Sequence, residues 1–349
     1  MKFLEEIFWR PNGIVPSPIN LILPDAARPK INRVVKYLNL EPEPGCNCYL
    51  TELPNGKVIG DARLVSTSDN IVIGNIQFLY GAVDQESHWI LKQRLFRTPR
   101  HISGSIVMLA ASNAENYYHW LFDSLPRLQL LKNAGYDLNA IDGYLLDKSK
   151  NSFQFQSLAL LGIKESKLFH CSKWVVVHCD RLILPSMPGP LGYPPRWICN
   201  FLREQFRPGP QPHPHRKIYI SREKARGRKI TNEIDILQHL ISCGYEIHHT
   251  EKLTFTQQVE LFSSAKEIIS AHGAGMSNIV FAQPGAKILE LGSRLHNNLS
   301  FRTIATNSDL QYEHLYLESA PGSDGVETRF ANIVANPEEF RLKLAEFSQ

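Results

Sequence analysis

Apolar positions change their spacing several times along this chain, and each change marks a boundary. From 49 to 96, short runs such as Ala62-Arg63-Leu64-Val65-Ser66 and Asn70-Ile71-Val72-Ile73-Gly74 are separated by turn residues, including Asp69-Asn70 and Gly74-Asn75. That pattern predicts a small antiparallel β region, either decorative or an edge that touches an acceptor. The stretch before it is punctuated by Pro11, Pro16, Pro18, Pro24, Pro29, Pro42 and Pro44 and predicts an irregular lead-in with one short helix at 30–38. A buried strand is expected at 102–111. Leu121, Leu125, Leu128 and Leu131 then recur at helical spacing, which predicts a helix over 116–134, kinked at Pro126 and stopped by Gly135. A strand at 141–146, a helix at 153–161 and strands at 173–177 and 181–184 follow. Strands alternating with helices imply an open α/β sheet whose strand order is not readable from the pattern.

Nine prolines fall between 185 and 214, interrupted by a helix at 196–206. This composition suits a linker between two α/β lobes, dividing the chain into 1–190, a linker at 191–215, and 216–349. The second lobe reads most clearly. A strand at 217–221 runs into a basic loop, then a helix at 232–243 with Asn232 as its cap and Leu237, Leu240 and Ile241 facing inward. A strand at 245–248 precedes Thr254-Phe255-Thr256-Gln257, a capping-box pattern that opens a helix ending near 264. The apolar run 265–271 predicts a buried strand. It leads into the turn His272-Gly273-Ala274-Gly275, the start of a helix from Met276, a stop at Pro284-Gly285 and a strand at 286–291. Strand, glycine turn, helix and strand make a βαβ unit. Asn336-Pro337-Glu338-Glu339 starts a last helix with Phe340, Leu344 and Phe347 on one side, a candidate to pack back on the first lobe.

Composition narrows the function classes. With 349 residues, 43% hydrophobic and 21% charged, the chain has ordinary globular composition and enough length for about two domains. A net charge of +4 permits acidic ligands or loose peripheral contact with an anionic membrane, and demands neither. No apolar run reaches the ~18–20 residues that span a bilayer. Met1-Lys2-Phe3-Leu4-Glu5-Glu6 carries acid where a signal peptide is apolar, so a cytoplasmic protein is expected unless an upstream anchor was removed. Cys46, Cys48, Cys171, Cys179, Cys199 and Cys243 form no CxxC pair and read as reduced structural thiols.

Three stretches can carry chemistry. The first is the glycine turn, which puts backbone N–H groups at the positive end of a helix, where a phosphate can sit; Gly273 and Gly275 let a ligand approach the main chain. The second is the basic loop Ser221-Arg222-Glu223-Lys224-Ala225-Arg226-Gly227-Arg228-Lys229, which lies on the same sheet edge if its strand is parallel to 265–271. Arginine forks hold phosphate oxygens in pairs, so two anion-binding devices at one edge suggest a diphosphate. Glu290, at the end of the next strand, could accept hydrogen bonds from ribose hydroxyls. The loop carries no interleaved aromatics and the overall charge is small, which disfavours nucleic acid. The third stretch is Asn116-Tyr117-Tyr118-His119-Trp120-Leu121-Phe122-Asp123. His119 and Asp123 share one helix face, and the pair could deprotonate a hydroxyl near neutral pH. No Asp-x-Asp occurs, so a metal-bridged diphosphate is not suggested. Serine-hydrolase and P-loop motifs are absent too.

Taken together these stretches resemble glycosyltransferase family 61, which includes bacterial capsular polysaccharide enzymes, plant xylan and arabinoxylan transferases, and animal enzymes that add N-acetylglucosamine. The matching positions are Asn116, His119 and Asp123; Ser221 and Arg222 with Arg228, Ile230, Asn232 and Glu233; His272, Gly273, Ala274, Gly275 and Asn278; and Pro284, Gly285 and Glu290. Either Arg226 or Arg228 fits as the second arginine. The resemblance implies a GT-B architecture, two Rossmann-type lobes facing a cleft, with the donor held mainly by the second. It implies inversion at the sugar carbon with no obligatory metal or other cofactor. The donor is expected to be a nucleoside-diphosphate sugar, UDP-linked in the leading reading. The acceptor is expected to be a hydroxyl of a saccharide, glycan or lipid-linked glycan in capsular or extracellular polysaccharide synthesis. Arg222, Arg226 or Arg228, and the backbone from Gly273 to Met276 would bind the diphosphate, with Asn116, Ser221, Asn232, Glu233, His272, Asn278 and Glu290 as further substrate-binding positions, and Asp123 or His119 would take the acceptor proton. The rival readings are a nicotinamide-dependent oxidoreductase, which expects glycine where Asn278 stands, and a non-catalytic sugar-nucleotide-binding protein.

Overall fold

Strand pairing follows the apolar runs, and the chain divides into two units between Gly189 and Pro190. The computed structural model describes residues 36–60, 64–68, 72–73, 99–111, 113–147, 151–171, 176–207, 209, 213–294, 298–321 and 330–349.

In chain order the first unit holds β1 (Lys36–Leu40), β2 (Cys48–Pro54), β3 (Lys57–Ile59), β4 (Leu64–Ser66), β5 (Val72–Ile73) and β6 (Arg100–Met108). A short α1 (Tyr117–His119), a π-helical turn (Trp120–Ser124) and α2 (Arg127–Asn133) follow. Then come β7 (Gly143–Leu146), α3 (Ser152–Leu160), β8 (Leu168–His170) and β9 (Val176–Pro185). The described strands form one mixed sheet in the order β5-β4-β3-β9-β6-β7-β8. Strand β2 also pairs with β9, and β1 with β2. The expected antiparallel region is present as β2 to β5, although 74–98 lies outside the described residues. Most of the short helix expected at 30–38 also lies outside them; its end, 36–38, is strand instead, paired in register with Leu50 to Glu52. Two strands were expected at 173–177 and 181–184. From Val176 onward the structure has one, because β9 is held on one edge by β6 and on the other by β3 and then β2. Leu53, Val58, Ile106, Val177, Leu182 and Leu184 fill the core of this sheet.

The helix expected over 116–134 is broken, for a local reason. Pro126 has no N–H, and its ring crowds the carbonyl four residues back. The turn before it widens, and Leu125 N–H reaches the Trp120 carbonyl five residues earlier, at 2.9 Å. Gly135 ends α2 as expected: it is left-handed, and Tyr136 N–H closes onto the Leu131 carbonyl at 3.0 Å.

The second unit contributes α4 (Arg196–Phe206), β10 (Arg216–Ile220), α5 (Ile234–Ser242), β11 (Tyr245–His248), α6 (Phe255–Ser263) and β12 (Ala265–Ala271). A 3-10 helix (Ala274–Phe281), β13 (Lys287–Ser293), α7 (Ser300–Asn307), β14 (Gln311–Ser319), β15 (Ile333–Val334) and α8 (Pro337–Phe347) complete it. The sheet order is β11-β10-β12-β13-β14-β15, parallel except for β15. Residues 191–215, expected as a linker, carry the packed helix α4. Its Phe206 ring sits 4.8 Å from Phe255, and Arg203 and Arg207 donate to the carbonyls of Val280 and Phe281. Thr254 and Gln257 form the expected capping box at α6. Asn336 caps α8 through Glu338 and Glu339 N–H. Helix α5 differs from expectation in two ways. Its cap position is Glu233, because the Asn232 amide is committed elsewhere, and Ile236 rather than Ile241 is buried.

Helix α8 packs on its own unit. Phe340, Leu344 and Phe347 join Tyr219, Leu240, Ile269 and Leu289 in one core. None of the six cysteines is in a disulfide. Among the described residues no helix is long and apolar enough to cross a membrane. Because Phe340 is fully buried in this core, Phe340→Ala should destabilise the protein by about 3–5 kcal/mol. A urea unfolding midpoint equal to the parent's would show that α8 is not part of that core.

Candidate active site

Sheet order decides where a ligand can sit in the second unit. The chain leaves β10 through α5 to β11 on one side, then returns through α6 to β12 on the other. Strands β10 and β12 are therefore neighbours at the point where the winding reverses, and in open α/β sheets the crevice beyond their carboxyl ends takes ligands. Ser221-Arg222 leaves the sheet there from β10, and His272-Gly273 leaves it from β12.

Two guanidinium groups converge on this edge. Arg222 Nη2 donates to the Gly227 carbonyl at 3.0 Å, and its Nε is buried without a hydrogen-bond partner among the described residues. Arg228 Nε donates to the His272 carbonyl at 3.1 Å. Burial, and secondarily the charge of Arg228, pull the Arg222 guanidinium down to about 10. Burial lowers Arg228 as well, opposed by Glu290. Positive charge is thus held where solvation is poor, an arrangement that an anion would relieve. Arg226 is exposed on the same loop. The loop is pinned from outside: Arg228 N–H meets the Phe330 carbonyl at 3.3 Å, Lys229 N–H meets Asn332 Oδ1 at 3.0 Å, and Ile333 N–H meets the Lys229 carbonyl at 2.8 Å. Arg228 itself sits in the left-handed region.

Behind the arginines lies a hydrogen-bonded chain that spacing could not reveal. His272 Nδ1 bonds Glu290 Oε1, and Tyr312 donates its hydroxyl to Glu290 Oε2. Glu290, expected to meet a ribose, is fully buried with both oxygens engaged; it orients the His272 ring instead. His314 lies on the same face as Tyr312, opposite Glu290 in the strand register, and burial pushes its imidazole below the ordinary value. Tyr312 and His314 were missed by motif. The available signal was period two in β14, with Leu315 and Leu317 to the core and Tyr312, His314 and Tyr316 to the other face.

Other expected ligand residues are engaged within the protein. Glu233 accepts from Tyr219 at 2.6 Å and from Ser221 Oγ at 2.9 Å, so it holds the start of the basic loop. Asn232 bonds Ala335 through both its amide nitrogen and oxygen, at 2.8 and 2.9 Å. Asn278 bonds Gln258 at 2.8 Å and the Gly275 carbonyl at 3.1 Å, tying the glycine turn to α6. Ala274 and Gly275 are partly exposed at the start of the 3-10 helix. Met276 is buried and closes its first turn through Met276 N–H to the Gly273 carbonyl at 2.9 Å.

In the first unit the π-helical turn brings together the pair that the sequence proposed. His119 Nδ1 lies 2.6 Å from Asp123 Oδ2, with 17% and 5% of the two side chains exposed. Asn116 is exposed and caps the turn by accepting from Tyr118 N–H at 2.9 Å. Ser124 Oγ anchors the turn to the sheet by accepting from Ala111 N–H at 3.0 Å. The buried carboxylate orients the ring, and the imidazole is the member nearer solvent. Among the described residues no group of three His, Cys, Asp or Glu side chains is placed to hold a metal ion.

Two arginines and a glycine turn at one edge of a parallel sheet, on a chain that also carries an imidazole–carboxylate pair, define an α/β protein with a candidate anion site. The family model for Glycosyltransferase 61 matches residues 117–289, a span that contains both constellations. A beta-1,2-xylosyltransferase, RCN11 of Oryza sativa subsp. japonica, is 31% identical over 84 residues. That match covers 24% of this chain and 15% of the rice protein. The chain belongs to glycosyltransferase family 61.

Tyr312→Phe would leave one oxygen of the buried Glu290 carboxylate without this donor. It should cost about 1–3 kcal/mol in chemical denaturation with the circular dichroism spectrum retained. Unchanged stability would mean that the Tyr312 hydroxyl does not support Glu290.

Proposed function

We propose that this protein is an inverting glycosyltransferase. It moves a sugar from a nucleoside-diphosphate donor to a hydroxyl of a saccharide, glycan or lipid-linked glycan, without an obligatory metal. The observation that carries the reading is the convergence of Arg222, Arg228 and the start of the 274–281 helix at the crevice between β10 and β12. Charge grows on the diphosphate as its bond to the sugar carbon breaks. Fixed donors aimed at that charge are typically worth ~100-fold or more in rate. In the same step His119, oriented by Asp123, takes the proton of the attacking hydroxyl, the new carbon–oxygen bond forms on the opposite face, and the nucleoside diphosphate leaves. Of the two candidate bases, relative exposure favours the imidazole as base and Asp123 as its orienting partner. Arg228, whose Nε lies on the His272 carbonyl, is the better-placed second arginine.

The GT-B arrangement, with a cleft between two lobes, is part of this proposal. So are a UDP-linked donor, a polysaccharide product of capsular or extracellular kind, and a cytoplasmic setting with peripheral membrane contact. The xylosyltransferase similarity makes a UDP-pentose the first donor to examine. The imidazole–carboxylate pair favours an enzyme over a sugar-nucleotide-binding protein without catalysis.

A thermal-shift series with UDP-, GDP- and CMP-sugars tests the donor site. Ligand at about 100 times its Kd should add roughly 2.7 kcal/mol of stability, and a flat response to all of them would remove the nucleotide-sugar reading. Asp123→Asn should lower turnover at least ~100-fold with donor binding little changed. Parent-like turnover would remove Asp123 from the mechanism.

A further inference from the structure

We propose that Gly273 is a positioning residue whose missing side chain is the seat of the Arg222 guanidinium. The basic loop and the glycine turn are then one anion-gripping device rather than two. This inference rests on the diphosphate reading above and assigns the glycine a different task from close ligand approach.

Backbone conformation does not require glycine here. Gly273 has φ 170° and ψ 167°, which is extended backbone open to other residues. The requirement is steric. A Cβ at this position would lie 1.7 Å from Arg222 Nη1, 2.2 Å from Cζ and 2.9 Å from Nε. The guanidinium therefore occupies the volume that any side chain at 273 would need. Its other edge is fixed by Nη2 on the Gly227 carbonyl. Gly227 is confined in turn, because a Cβ there would meet the Phe330 carbonyl at 2.6 Å. Gly275 answers to a different neighbour, Thr250 Oγ1, at 2.9 Å from its would-be Cβ. Arg222 is thus held against the turn that begins the 274–281 helix. Guanidinium and helix start face one anion together, and moving the guanidinium would uncouple them.

Two measurements on the full chain test this. The first is the rate at which phenylglyoxal modifies Arg222, followed by peptide mass spectrometry. Gly273→Ala should expel the guanidinium and raise that rate at least about fivefold, and an unchanged rate overturns the seat. The second is UDP binding in a double-mutant cycle. Gly273→Ala alone should weaken UDP about tenfold or more, but less than about twofold once Arg222→Ala is present. Equal losses in both backgrounds would mean that Gly273 acts without Arg222, and the inference falls. If Gly273→Ala does not fold, the double variant decides. Recovery of folding by adding Arg222→Ala supports the clash, and failure of the double variant as well rejects it. Should modification accelerate while neither substitution changes UDP binding, the seat stands and the UDP-donor reading fails.

Discussion

The parallel pairing of β10 with β12 is the constraint on which the second unit depends. Parallel neighbours send their following loops out of the same sheet edge, and the reversal of winding leaves a crevice between them. The register that sets Ile220 against Ser270 brings the chain leaving β10 at Ser221-Arg222 beside the chain leaving β12 at Ala271-His272. Fifty residues of intervening chain are needed for that juxtaposition, and they are spent on α5, β11 and α6, which pack on the sheet and keep both strands in place.

The crevice concentrates groups that are costly to hold there. Arg222 is largely buried, Arg228 is in a left-handed conformation, and their charges oppose one another. The protein supports them from below and outside. Glu290 lies near Arg228 and also holds His272, Tyr312 holds Glu290, and the 330–333 segment clamps the loop backbone. Strain and poor solvation are characteristic of sites kept ready for a ligand of complementary charge. Glu233 follows the same logic at one remove: it takes hydrogen bonds from Tyr219 and Ser221 and so fixes the point from which the arginine loop departs.

The first unit uses a different device. Pro126 interrupts hydrogen bonding at the end of a short helix, and the preceding turn widens into a π turn that carries Asp123. Both imidazoles, His119 and His272, end with Nδ1 on a carboxylate. One couple is built within a single turn, and the other from the loop that leaves β12 and the neighbouring strand β13. That difference explains why His119 with Asp123 could be read from spacing, whereas His272 and Glu290 were read as separate ligands.

What the sequence determined by itself is what physics settles within a few residues. The capping box at Thr254, the Asn336-Pro337 helix start, the Gly135 stop, the apolar run of β12 and the four-residue step from His119 to Asp123 all depend on neighbours one turn away. Alternating strand and helix also identified α/β units, and three ordered motifs identified the family. Tertiary structure alone decided the rest. It joined β9 into one strand, packed α4 and α8 into the second unit, committed Asn232 to Ala335 across 103 residues and set Glu290 beneath His272 across 18. Most of all it decided what fills the space beside Gly273. A glycine shows that room is needed, but the occupant is chosen by packing, and here it is the protein's own Arg222.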